Sequence, residues 1–117
     1  MSELSIIQKM YDLIKWYVPI LTRIPKTHKF TLGERLINNL YSVLEELILI
    51  KYEREKLDRL VALNARLDVI RYQTRLLWDF SPLSPERYEY VSKLIEEIGQ
   101  ELGGWIKQQK NKRTPTK

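Results

Sequence analysis

Residues 36–50 read LINNLYSVLEELILI, and their spacing decides the fold. Leu36, Leu40, Val43, Leu47 and Ile50 recur at intervals of four and three, which places them on one face of an α-helix. The same interval runs through three more segments. They are Ile7, Met10, Ile14, Tyr17, Leu21, Ile24; then Leu60, Leu63, Leu67, Ile70, Thr74, Leu77, with one polar member; and then Tyr88, Val91, Ile95, Ile98, Leu102, Trp105. Four such seams, each on a segment of about 20–25 residues, predict an all-α protein: an antiparallel up-down four-helix bundle with short connections. The helices are expected near residues 4–24, 32–53, 56–80 and 85–108.

The boundaries carry chemical signals. Thr31-Leu32-Gly33-Glu34 has the form of a capping box, in which the Thr31 hydroxyl accepts from the Glu34 N–H and the Glu34 carboxylate reaches back. Before it, IPKTHKF (residues 24–30) is a polar link interrupted by proline. Ser84-Pro85-Glu86 opens the fourth helix with an N-cap, a first-turn proline and an acid at the positive end of the dipole, and Leu83 and Tyr88 stand at staple positions. Neither Gly nor Pro marks the break between helices two and three. It is placed within KYEREK, residues 51–56, by length and by the loss of apolar periodicity. Pro19 removes a hydrogen bond inside helix one, where a bend is expected. Residues 1–109 are read as one bundle domain and residues 110–117 as a disordered basic tail.

Composition fits this. The 117 residues include four Gly, five Pro and no Cys, with 44% hydrophobic side chains. Few breakers favour long helices, and without cysteine there is no disulfide, no Cys-ligated zinc and no thiol catalysis. No basic leader precedes an apolar run, and no stretch reaches the roughly 18 apolar residues of a membrane span, so a cytoplasmic protein without a membrane partner is expected.

The net charge of +5 is unevenly placed. Residues 23–35 hold Arg23, Lys26, Lys29 and Arg35 against Glu34. Residues 107–117 hold Lys107, Lys110, Lys112, Arg113 and Lys117 with no acid, whereas the body between is acidic. Such concentration suits a polyanion, although basic tails are often merely solvated. On helix three Arg66, Arg71 and Arg75 add charge. Arg71 and Arg75 share a face, but Asp68 and Asp79 stand within salt-bridging reach, so an ion pair and a binding surface are equally open readings.

The helices also carry more apolar surface than one seam requires. Helix one adds Ile6, Leu13 and Ile20 with Trp16 nearby, and helix two adds Ile37, Tyr41, Leu44 and Ile48, which would make it the most buried element. Gly99 and Gly103 stand four apart in helix four, at roughly 1 kcal/mol each relative to Ala, a cost tolerable where another backbone approaches closely. The surplus reads either as a wide core or as an interface, and a homo-oligomer is favoured.

The catalytic inventory is empty. His28 is the only histidine and lies among Arg23, Lys26 and Lys29, where it serves as a surface residue or phosphate contact. Glu45, Glu46, Glu96, Glu97 and Glu101 have no histidine partner for a di-metal site and read as solvent-facing partners in salt bridges. No phosphate-cradling glycine loop appears, so no cofactor or metal is expected and the protein is not read as an enzyme. Trp16, Trp78 and Trp105 could stack on bases, but Trp105 is already in a core seam and aromatics at helical spacing more often belong to the core.

KMYDLIKWYVPILTRIPKTHKFTLGERL (residues 9–36), LEELILIKYEREK (44–56) and VSKLIEEIGQELGGWIK (91–107) together resemble the accessory variability determinant (Avd) proteins of bacterial and phage diversity-generating retroelements. The most specific part is P-x-x-x-R-x-P-K followed by F-x-L-G-x-R: here Pro19, Arg23, Pro25, Lys26, Phe30, Leu32, Gly33 and Arg35. The LGxR element is shared with four-helix proteins encoded in intervening sequences of 23S ribosomal RNA genes. The resemblance implies a homopentameric barrel of bundles and a positively charged surface. It also implies partners: the element's reverse transcriptase, and RNA or DNA during mutagenic retrohoming, with the polymerase chemistry belonging to the partner. Arg23, Lys26 and Arg35 carry over as candidate contacts; His28 and Lys29 rest on local charge alone. The alternative is a structural helical oligomer of the intervening-sequence type that binds RNA by bulk charge.

Overall fold

The computed structural model describes residues 3–80 and 82–113. Among them the chain forms four long helices and no strand: α1 (Glu3–Leu21), α2 (Glu34–Lys51), α3 (Leu57–Asp79) and α4 (Pro85–Arg113). Each packs on its chain neighbour, and α4 closes the set against α1 in an elongated bundle 55 × 22 × 20 Å. None of the helices among the described residues is long and apolar enough to cross a membrane.

The seams point inward as expected. Met10, Tyr17, Leu21, Leu36, Leu40, Leu47, Leu60, Leu67 and Ile70 are buried, as are Val91, Ile95, Ile98, Leu102 and Trp105. Thr74, the one polar seam residue, is 2% exposed. It sits 2.9 Å from the Tyr17 hydroxyl, so each satisfies the other. This bond joins α1 to α3 across the bundle and fixes the register of two helices that are not chain neighbours.

The connections explain where helices stop. The Arg59 guanidinium holds Glu46 of α2 at 2.5 Å and Glu53 of the turn at 3.3 Å, and the Lys56 ammonium donates to the Glu53 carbonyl. This clasp closes α2 onto α3 without Gly or Pro, within the segment expected from the sequence. Hydrogen bonding to Glu46 favours the charged form of Arg59 and raises its pKa further. At α4, the Arg87 N–H donates to Ser84 Oγ at 3.2 Å, and Leu83 is buried beside the half-buried Tyr88. Ser84 is the N-cap that the sequence announces.

Four expectations need correction. α1 stops at Leu21, short of Ile24, because Pro19 stands in its last turn and Ile24 precedes a proline, which disfavours helical geometry. α4 continues through Lys110 to Arg113, so the first part of the supposed tail is helical; residues 114–117 lie outside the described residues. α2 is not the most buried element: Tyr41 and Ile48 are exposed and Ile37 and Leu44 only half-buried. Of the helix-four carboxylates, Glu101 does not face solvent. It lies in the α1–α4 contact, accepting from Ser5 Oγ at 3.2 Å and pairing with Lys9 at 3.5 Å.

Gly99 admits a side chain rather than a neighbouring backbone. A Cβ there would collide with the Arg71 guanidinium, which lies across α4 at this point. Because that group is the far end of a flexible side chain, Gly99→Ala should push it aside at small cost. The gain in helix propensity, about 1 kcal/mol, then sets the sign. The variant is expected to melt above the parent by circular dichroism, and a lower melting temperature would show the Arg71 position to be stabilising.

Candidate nucleic-acid interface

The link between α1 and α2 is helical from Lys26 onward, and this places its charges. Ile24 turns inward and is buried, and Pro25 sets an extended residue before a single turn, Lys26–His28. The His28 and Lys29 N–H groups both donate to the Pro25 carbonyl at 2.9 Å. A π-helical segment, Lys29–Gly33, follows, and the Glu34 N–H reaches back five residues to the Lys29 carbonyl. The capping box therefore does not form. With the backbone already helical, no free N–H waits for Thr31. Its hydroxyl instead donates to the Thr27 and His28 carbonyls, each at 3.3 Å.

Gly33 seats this link on the end of α1. A Cβ added there would lie 3.1 Å from Ile24 Cδ1 and 3.3 Å from the His28 carbonyl oxygen, so any larger residue would need these neighbours to give by a few tenths of an ångström. His28 in turn stacks on Phe80 at the end of α3, rings parallel within 10° and 5.0 Å apart. Trp78 stacks on Tyr88 at the same end, also at 5.0 Å. Around this packed cap stand Arg23, Lys26 and Arg35, all exposed, with Lys29 half-buried and its ammonium 5.4 Å above the Phe30 ring. Among the described residues none of these four cations is in an ion pair.

The other basic residues are differently placed. Arg71 pairs with Asp68 at 3.2 Å. Arg75 is exposed and forms no ion pair with Asp79 among the described residues. Arg66 donates to the Asn39 amide oxygen at 3.3 Å, linking α3 to α2. Lys107, Lys110 and Lys112 are exposed on the last turns of α4, whose backbone ends with Arg113. Gln108, Gln109 and Lys112 line a cleft with Arg54, Glu55, Lys56 and Leu57. That cleft is at the start of α3, whereas His28 and Phe80 are at its finish. The 23 residues of α3 rise about 34 Å, so the two concentrations of positive charge occupy opposite ends of the bundle. They do not form one surface within a single chain, contrary to what summing them along the sequence suggests.

Two apolar stripes remain open to solvent. Leu4 and Tyr11 of α1 and Tyr41 and Ile48 of α2 are exposed, with Ile7, Val18, Ile37 and Leu44 half-buried beside them. On α3, Val61, Ala65, Val69, Tyr72 and Leu76 run along the side facing away from its seam, and Tyr72 is 67% exposed. A helix apolar on both sides ordinarily has a partner on each. The α3 stripe repeats at the same three-four interval as the seam and was legible on that ground.

The model of a family described as bAvd-like matches residues 4–109 of this chain. No curated protein sequence matches it.

Proposed function

The chain belongs to the bAvd-like family, and from that premise we propose that it is a non-catalytic accessory protein that binds a retroelement reverse transcriptase and nucleic acid in support of mutagenic retrohoming. The observation that carries the nucleic-acid half is the basic end of the bundle. Arg23, Lys26 and Arg35 are exposed and outside any ion pair among the described residues, while Arg59 and Arg71 hold carboxylates. Unpaired cations on a rigid helical cap neutralise phosphates and release counterions, which gives affinity with little sequence preference.

Arg23, Lys26 and Arg35 are the primary contacts and Lys29 assists. His28 acts through its stack on Phe80, which holds the link in place. Lys107, Lys110, Lys112 and Arg113 belong to a second, distant basic end that engages a separate stretch of nucleic acid or a separate molecule. Arg66, Arg71 and Arg75 form the reserve surface for the polymerase. Replacing Arg23, Lys26 and Arg35 together with Gln should leave helicity unchanged, because exposed substitutions alter stability by only about 0.5 kcal/mol. Affinity for RNA or DNA should fall, and the slope of log affinity against log salt should become shallower by about 0.7–0.9 for each phosphate no longer neutralised. An unchanged slope would remove this end from the interface.

We propose further that copies assemble through the two apolar stripes into a closed ring, with five copies favoured by the resemblance to Avd proteins. Two different faces on one protomer suit a head-to-tail contact, and such contacts close into rings when the rotation allows. A ring repeats each basic end, so weak contacts per chain add by avidity.

A further inference from the structure

Two phenylalanines stand in water at the basic end, and phosphate binding gives them nothing to do. Phe30 is 60% exposed on the outer side of the π segment, with the Lys29 ammonium against its ring. Phe80 is 51% exposed, and the imidazole of His28 lies parallel to it. Neither ring adds to the core; Phe80 is held by its stack on His28, and Phe30 projects from a backbone in helical hydrogen bonds with the Lys29 ammonium over its ring. Arg23, Lys26 and Arg35 are exposed at the same end of the bundle.

Exposed aromatic rings at an end rich in unpaired cations are what unpaired nucleotides require. Cations follow the phosphates, and each ring offers a π-face to a base whose own face is open. Duplex bases are stacked on one another and present only edges and backbone, so such rings would be idle against a duplex. The surrounding charge also argues against an apolar protein segment as the occupant, because a protein surface would have to desolvate these cations without a matching anion.

We infer that the basic end is a single-strand site, in which Phe30 and the Phe80–His28 pair stack unpaired bases while Arg23, Lys26, Lys29 and Arg35 bind the flanking phosphates. This rests on the nucleic-acid reading above and narrows it to single-stranded RNA or DNA.

The test uses the full chain and a fluorescein-labelled 20-nucleotide RNA of mixed sequence, alone and annealed to its complement, with anisotropy followed across salt concentration. The parent should bind the single strand more tightly than the duplex. Phe30→Leu and Phe80→Leu should each weaken single-strand binding on the order of tenfold, with the salt slope unchanged, because a stacked base releases no counterion. Duplex affinity should not move, and Phe30→Tyr, which keeps a π-face, should retain the parent's affinity. Circular dichroism melts of each variant separate a loss of stacking from a loss of folding, and Phe30 decides the matter if Phe80→Leu is unstable. Equal binding of both forms by parent and Phe30→Leu would overturn the stacking site and leave the phosphate reading standing. No binding of either form would overturn both. Unchanged RNA affinity in Phe30→Leu with loss of the oligomer would assign the ring to a protein contact and overturn the proposal.

Discussion

If copies assemble as proposed, a single carboxylate on either apolar stripe is expected to reduce that assembly to separate chains. Leu76→Glu on α3 and Ile48→Glu on α2 each place a charge on an exposed position of one folded chain, so the bundle itself should keep its helicity and melting behaviour. In an apolar contact between copies the same charge must be desolvated without a partner, which costs several kcal/mol. At about 1.4 kcal/mol for each tenfold change, the dissociation constant should rise by at least about a hundredfold. Light scattering at micromolar concentration should fall from a multiple of the 14.1 kDa chain mass to the chain mass itself. The proposed head-to-tail arrangement makes a sharper demand. Each variant keeps one intact face, so mixing the two should give a species of two chains and no larger one. A mixture that stays monomeric would exclude the head-to-tail contact, and an undiminished assembly in either single variant would exclude the stripe it alters.

The second large effect lies in the core. Tyr17→Ala removes a fully buried aromatic side chain at the crossing of α1 and α3 and should cost about 3–5 kcal/mol, as truncation of a large core residue typically does. Against a total stability of about 5–15 kcal/mol for a domain, that is a lowering of the melting temperature by many degrees. The finer substitutions separate packing from hydrogen bonding. Tyr17→Phe strands the Thr74 hydroxyl and Thr74→Val strands the Tyr17 hydroxyl, and each should cost about 1–3 kcal/mol. The double variant should cost less than the two together, because neither polar group is then left unsatisfied. A strictly additive cycle would mean that the bond contributes nothing.

The pair also has a signature in pH. Burial raises the Tyr17 pKa, and its hydrogen bond to Thr74 opposes this only in part. A raised pKa means that the folded chain holds the proton more firmly than the unfolded one. Below about pH 10, where a tyrosine in the unfolded chain begins to ionise, this changes nothing; above it, stability falls as pH rises. Tyr17→Phe should therefore flatten the alkaline fall in stability measured by denaturant titration, and an unaltered alkaline limb would place the effect on other groups.

The sequence by itself determined the four helices, their inward faces, the Ser84 cap and a break within residues 51–56. These are local matters. A three-four interval of apolar residues states which side of a helix is apolar, and a serine before a proline and a glutamate states where a helix begins. It also carried the family, because Pro19, Arg23, Pro25, Lys26, Phe30, Leu32, Gly33 and Arg35 form a motif readable in order. The tertiary structure alone decided what depends on position in space. Thr31 and Glu34 satisfy the pattern of a capping box, yet the close seat of Gly33 on Ile24 keeps the preceding backbone helical and leaves no N–H to cap. Arg71 lies against Gly99 because α3 packs on α4 there. The basic link and the basic helix end add up along the chain but sit a helix length apart, because an up-down bundle sends alternate connections to opposite ends. Phe80 meets His28, far from it in the chain, for the same reason. Periodicity fixes directions around one helix axis; distances between helices come only from packing.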